Sequence, residues 1–201
     1  MAITNQIIMK ENGFEYVDLG LPSGTMWATC NVGADKPEDE GLLFQFGRVD
    51  GYKYGDSNKF INKNNNSTAT SGKTYKRNDI LELDDDAAYV NMGSKWRMPT
   101  KCQFKELLDN TTYEVKTING VKGVLFISNI NSQHLFIPFA GYWRYGKYYN
   151  NRSYGLVWSS QVNVAYKDSA NCLYCNNSIG GPCIYFEDRF YAFSVRGVFN
   201  K

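Results

Sequence analysis

Several ingredients that would point to familiar chemistry are scarce in this chain. There is no stretch of 18 or more apolar residues, so no segment reads as a membrane-spanning helix. Net charge is only +2, and no run of lysine or arginine occurs, which argues against a nucleic-acid partner. Histidine appears once, at His134, beside the apolar run Leu135 to Ile137. The five cysteines are Cys30, Cys102, Cys172, Cys175 and Cys183, an odd count without the regular spacing of a disulfide framework. Cys172 and Cys175 form a CxxC with Cys183 eight residues later, but a zinc site would need a fourth ligand, and His134 is distant in sequence. Met1 to Lys10 lacks the charged start and apolar centre of a signal peptide. The chain is therefore expected to stay in the cell that makes it or to leave by another route, such as a virus particle. No metal or other cofactor is expected.

What is abundant is tyrosine, with 15 copies, and glycine, with 18, against five prolines among 201 residues. Hydrophobic residues at 43% and charged residues at 21% describe a globular chain of a size suited to one domain, residues 1–201. Aromatic and glycine enrichment without long amphipathic runs favours strands and loops.

Phe14 to Leu19 and Thr25 to Cys30 read as two strands around the turn Leu21-Pro22-Ser23-Gly24, and Leu42 to Phe46 as a third. Residues 48–78, including Asn62 to Thr68, have no apolar period and read as a long polar loop. Asp84-Asp85-Asp86 before Ala87 to Val90 reads as the capped start of a short helix, because carboxylates complement the helix dipole; calcium would need a longer set of spaced oxygen ligands. Thr100 to Asn110 is the best helix: Thr100 and Gln103 suit a capping box, Phe104, Leu107 and Leu108 share a face, and Asn110 ends it. Asn119-Gly120 between Tyr113 to Thr117 and Gly123 to Ser128 is a hairpin signal, and Leu135 to Phe139 is a further strand.

The segment Tyr16 to Ala34 (YVDLGLPSGTMWATCNVGA) resembles the opening of the Fibrobacter succinogenes major paralogous domain family, abundant in Bacteroidales bacteria and their phages. Leu43 to Gly47, Asp85 to Ala88 with Trp96 to Thr100, Ile137 to Gly141, Gly155 to Ser160 and Phe193 to Arg196 resemble its later motifs in the same order. The resemblance implies an α+β fold of the C-type-lectin-like kind: small mixed or antiparallel sheets, two short helices, long loops, and termini paired as neighbouring strands. It also implies kinship with the formylglycine-generating enzyme superfamily. Trp27, Trp96 and Trp158 suit a core in which each indole N–H finds a local partner, and Arg97 and Arg196 read as structural. Gly20, Gly33, Gly47 and Gly141 sit where turns or tight packing want them.

Function is expected in the last third of the chain. Nine of the fifteen tyrosines follow position 141, interleaved with asparagine on short segments broken by glycine, so many rings should be exposed. Tyrosine with serine, glycine and asparagine is the composition of antibody binding loops, and such rings also stack on sugars. The candidate ligand-binding residues are Tyr142, Trp143, Tyr145, Tyr148, Tyr149, Asn150, Asn151, Tyr154, Tyr166, Tyr174, Asn176, Asn177, Tyr185, Arg189 and Tyr191. Residues 142–192 also resemble the variable segment of retroelement-diversified lectin-fold proteins. Mutagenesis of adenines in Asn codons scatters Asn, Tyr, Ser, Asp and Cys over a fixed frame, here Gly155, Trp158 to Ser160 and Phe193 to Arg196.

Three function classes follow. The first is a binding module for a cell-surface glycan or protein receptor, carried on a phage virion or on a bacterial surface as a secreted adhesin. The second is a structural protein whose aromatic face meets other virion subunits. The third is an enzyme of the formylglycine-generating kind, which would need reactive cysteines and a metal; Cys172 and Cys175 lack an activating constellation, so no catalysis is expected. The usual lectin calcium motifs are absent, so sugar binding should not need calcium.

Overall fold

The structure is a computed structural model that describes residues 6–53, 56, 73–149, 153–177 and 180–201. Most of the expected polar loop, with its Asn62 to Thr68 stretch, lies outside the described residues, as do the candidate residues Asn150 and Asn151. The described chain is mostly β with two short helices, an α+β arrangement.

In chain order the elements are β1 (Met9–Glu11), β2 (Phe14–Asp18), β3 (Thr25–Asn31), β4 (Leu43–Gln45), a single 3-10 turn (Leu83–Asp85), α1 (Ala87–Met92) and α2 (Lys101–Asp109). There follow β5 (Thr111–Ile118), β6 (Val121–Ser128), β7 (His134–Pro138), β8 (Tyr142–Arg144) and β9 (Lys147–Tyr149). The last are β10 (Tyr154–Val162), β11 (Ser169–Asn176), β12 (Cys183–Asp188), β13 (Ala192–Ser194) and β14 (Arg196–Asn200). They make a four-stranded sheet β1-β2-β3-β14, a seven-stranded sheet β12-β11-β10-β13-β8-β9 with β4 on β13, and a three-stranded meander β5-β6-β7.

The final strand pairs with the second strand of the opening hairpin, so the chain ends do share a sheet. Beyond the expected hairpins, β1 and β2 join through Asn12-Gly13, both at positive φ, the geometry of a tight two-residue hairpin turn. Asn119-Gly120 closes β5 on β6 in the same way. Binding loops on a small sheet were expected after Gly141. Instead, β10 and β11 are nine and eight residues long and the Tyr/Asn-rich region is largely strand.

Two main cores lie on opposite sides of β3 and β10, and alternation along each strand decides which core a residue joins. Val17, Trp27 and Val198 are cross-strand neighbours whose side chains join Phe104, Leu107, Val157 and Leu173. Met26, Ala28 and Phe199 point the other way, with Trp96, Trp158, Phe44 and Phe193. Strands buried on both faces need apolar residues at successive positions, hence Met26-Trp27-Ala28 and Leu156-Val157-Trp158.

The helix expectations hold at the level of caps. Thr100 and Gln103 form the reciprocal capping box of α2, Asn110 is its C-cap, and Phe104 and Leu107 are fully buried, with Leu108 packed partly beside them. Asp86, not the acidic run as a whole, caps α1. Its carboxylate accepts the N–H groups of Ala88, Tyr89 and, across a turn, Met98.

The Trp96 indole donates to the Glu11 carbonyl and that of Trp158 to the Phe44 carbonyl, at 3.3 and 2.8 Å. Trp27 departs from expectation: its indole N–H has no hydrogen-bond partner among the described residues. Arg196 is fully buried and structural, donating to Asn31 Oδ1 and to the carbonyls of Ala28 and Phe136 at 3.0–3.1 Å. Arg97 is also tied locally, donating to the Ser94 and Trp96 carbonyls and lying over the Tyr89 ring. Gly155 is required by close approach: a Cβ there would collide with the Pro138 carbonyl, where β10 passes the end of β7.

Candidate binding cleft

The register of the seven-stranded sheet gathers the tyrosines. Leu156 opposes Tyr174, which opposes Cys183; Trp158 opposes Cys172, which opposes Tyr185; and Ala170 opposes Glu187. Since side chains alternate, Tyr154, Leu156, Tyr174, Tyr185 and Glu187 share one face of the sheet. The other face, with Val157, Leu173 and Cys175, is buried in the Trp27–Phe104 core. On the shared face, Tyr142 and Arg144 of β8 and Tyr191 and Phe193 at β13 complete a cleft of about 510 Å³. That volume lies within the roughly 300–1,000 Å³ typical of small-ligand sites.

Rings run across this face as a continuous band. Tyr149 stacks on Tyr142 with centroids 5.3 Å apart and planes 14° from parallel. Tyr142 meets Tyr154 at 6.2 Å, Tyr154 meets Tyr174 at 6.1 Å, and Tyr174 meets Tyr185 at 6.0 Å. Beyond this face, at the edge of the sheet, Tyr185 stacks on Phe186 at 5.4 Å and Phe186 on Tyr166 at 5.3 Å. Leu156 and Phe193 form the apolar floor. Burial pushes the phenols of Tyr142, Tyr174 and Tyr191 above their ordinary range, so each remains a protonated donor at neutral pH.

Among the described residues the cleft holds one cation and one carboxylate. The Arg144 guanidinium lies 5.0 Å from the ring centroids of both Tyr145 and Tyr191, and its Nε is buried with no hydrogen-bond partner among the described residues. Glu187 is half-buried. Burial, and then the neighbouring Asp188, push its carboxyl above the usual range, while Arg144 pulls it down. Neither side chain forms an ion pair within the described residues.

Of the candidates read from sequence, Tyr142, Tyr154, Tyr174, Tyr185 and Tyr191 line the cleft directly. Tyr149 and Tyr166 extend the ring band, and Tyr145 packs on Phe190 and Tyr191 at the rim. Asn176 follows β11's cleft residues half-exposed, and Asn177 is exposed beyond the strand.

Three candidates belong elsewhere. Trp143 is 3% exposed in a small core with Leu43, Tyr52, Ala140 and Ala192, because it alternates away from Tyr142 and Arg144. Tyr148 packs against that core and donates to Glu40 and to the Ala140 carbonyl. Arg189 is 1% exposed between the rings of Phe46 and Tyr75, so its guanidinium serves packing. Sequence reading passed over Arg144, Leu156, Glu187 and Phe193. Their signal was alternation: each sits two residues from a tyrosine of the same face.

Cys172 and Cys175 are three positions apart on β11, hence on opposite faces, and both are fully buried. Burial raises both thiols far above their ordinary range, which suppresses the reactive thiolate. All five cysteines are free. Among the described residues no group of three or more His, Cys, Asp or Glu side chains could hold a metal ion, and no helix is long and apolar enough to cross a membrane. No protein-family model, curated protein or solved structure matches the chain.

Proposed function

We propose that this chain is a C-type-lectin-like binding module that recognises a cell-surface glycan or protein receptor through the aromatic cleft. The observation that carries the reading is the convergence of five sequence-nominated tyrosines on one cleft of ligand size. Tyrosine offers large contact area at low entropic cost, and its hydroxyl reads polar groups. The pairing of the chain's last strand with its opening hairpin supports the lectin-like reading of the fold. So does the ordered series of motifs resembling the Fibrobacter succinogenes major paralogous domain family. In this reading the protein binds rather than turns over its ligand, and it serves host attachment on a phage particle or, as the runner-up, adhesion on a bacterial surface.

Retroelement diversification belongs to the same proposal. Tyr174, Tyr185 and Asn176 lie on paired strands, where side chains can vary while Gly155 and Trp158 hold the frame. A template repeat and a reverse-transcriptase gene beside this gene are the expected companions; a neighbourhood lacking both contradicts diversification.

A second reading has its own observation. Tyr185 and Phe186 are 48% and 37% exposed on β12, an edge strand of its sheet, and Tyr166, 57% exposed in the turn between β10 and β11, stacks on Phe186; this suits contact with another virion subunit. Binding of purified protein to intact Bacteroidales cells separates the two. The receptor reading expects wild-type binding that is lost when Tyr174 and Tyr185 are both changed to alanine in a still-folded protein. Equal binding by both proteins, or none, favours the assembly reading.

A further inference from the structure

We infer that the ligand of this cleft is a linear glycan bearing carboxylates, a uronic-acid-type polysaccharide, with Arg144 as the carboxylate anchor. This rests on the binding reading above and narrows it. The ring band crosses the sheet from Tyr149 through Tyr142, Tyr154 and Tyr174 to Tyr185 in steps of 5.3–6.2 Å. Such a row offers successive sugar rings successive apolar platforms.

Charge sets the class of sugar. Arg144 lines the same cleft, its guanidinium 5.0 Å from the ring centroids of Tyr145 and Tyr191 and without an ion-pair partner among the described residues. A planar carboxylate meets a guanidinium with two parallel charge-assisted hydrogen bonds. Glu187 lies in the same cleft as an acceptor for sugar hydroxyls and repels a second anionic group. Among the described residues, one cation beside one carboxylate fits a chain of spaced carboxylates and hydroxyls. It does not fit the dense charge of a polyphosphate, which would call for a cluster of cations.

The test uses uronic-acid polysaccharides immobilised as matched pairs, each native and after chemical reduction of its carboxyls to neutral sugar. Wild type is expected to bind at least one native member and to lose at least tenfold in affinity on the reduced partner. Arg144→Gln should show the same loss on the native member and little change on the reduced one. Arg144→Lys, which keeps the charge but not the fork, should recover part of it. Melting curves of each variant verify the fold. Equal binding to native and reduced members, no binding to any native member, or an Arg144→Gln protein that binds like wild type would each overturn the inference.

Cell binding separates this failure from that of the parent reading. If Arg144→Gln binds cells normally while the Tyr174→Ala, Tyr185→Ala variant does not, the cleft is a receptor site and the acidic-glycan assignment is wrong. If protease treatment of the cells abolishes binding, the receptor is a protein and the assignment is equally wrong.

Discussion

Asp86 holds the backbone N–H of Met98 with both carboxylate oxygens, at 3.0 and 2.9 Å. The same carboxylate caps α1, so one buried side chain ties the helix to the chain that leads into α2. Removing it should be far more damaging than removing the exposed Asp84. Asp86→Ala loses an N-cap, worth about 1 kcal/mol. It also leaves the buried Met98 N–H unsatisfied, at about 1–3 kcal/mol. Urea denaturation should show a loss of roughly 2–4 kcal/mol, with Asp86→Asn retaining part of it. Asp84→Ala, which leaves all these bonds in place, should fall within about 0.5 kcal/mol of wild type.

The cysteines should divide by exposure. Cys102 and Cys183 are exposed, whereas Cys172 and Cys175 are fully buried with raised thiols. A thiol reagent counted by mass spectrometry should label Cys102 and Cys183 in the native protein and reach Cys172 and Cys175 only after unfolding. Rapid native labelling of Cys172, or a Cys172–Cys175 disulfide, would contradict the strand register.

The Glu187 carboxyl gives a pH signature. Its folded pKa is raised, first by burial and then by Asp188, so the folded state favours the protonated form more than the unfolded state does. Its contribution to stability is therefore fully present below the unfolded value near 4.5 and is lost as pH rises through the folded value. Glu187→Gln, neutral at every pH, should melt higher than wild type at pH 7. The two should converge in acid, where wild type is also neutral. A Gln variant that melts lower at pH 7 would mean that the ionised carboxylate is stabilised by a partner.

Much of the frame was legible from sequence because it is specified locally. Thr100 with Gln103, Asn119-Gly120 and the turn at Leu21 to Gly24 each name a backbone geometry that few residues satisfy. The strands of the last third were not legible. Tyr154-Gly155, Asn171-Cys172 and Cys175-Asn176 break the usual strand composition, and their pairing is decided by partners distant along the sheet. The tyrosines themselves were evident from composition, but which of them meet was not. Trp143 and Tyr148 look like their neighbours in sequence and leave the site only because alternation turns them inward. Arg144 and Glu187 carry only the alternation signal in sequence, and that they meet follows from β8 and β12 sharing one cleft.

If the cleft is the receptor site, binding to living targets should depend on rings that the fold can lose without unfolding. Tyr185 is 48% exposed and Tyr174 is partly buried against the main core, so truncating both should lower the melting temperature while leaving a folded protein. The most direct measurement is therefore quantitative binding of wild type and the Tyr174→Ala, Tyr185→Ala protein to a panel of intact Bacteroidales cells, with melting curves run alongside. The account predicts saturable wild-type binding to at least one strain and at least a tenfold weaker affinity for the variant, about 1.4 kcal/mol, in a protein that still melts cooperatively well above the binding temperature. Binding of equal strength by both proteins, or no binding to any strain, would contradict it.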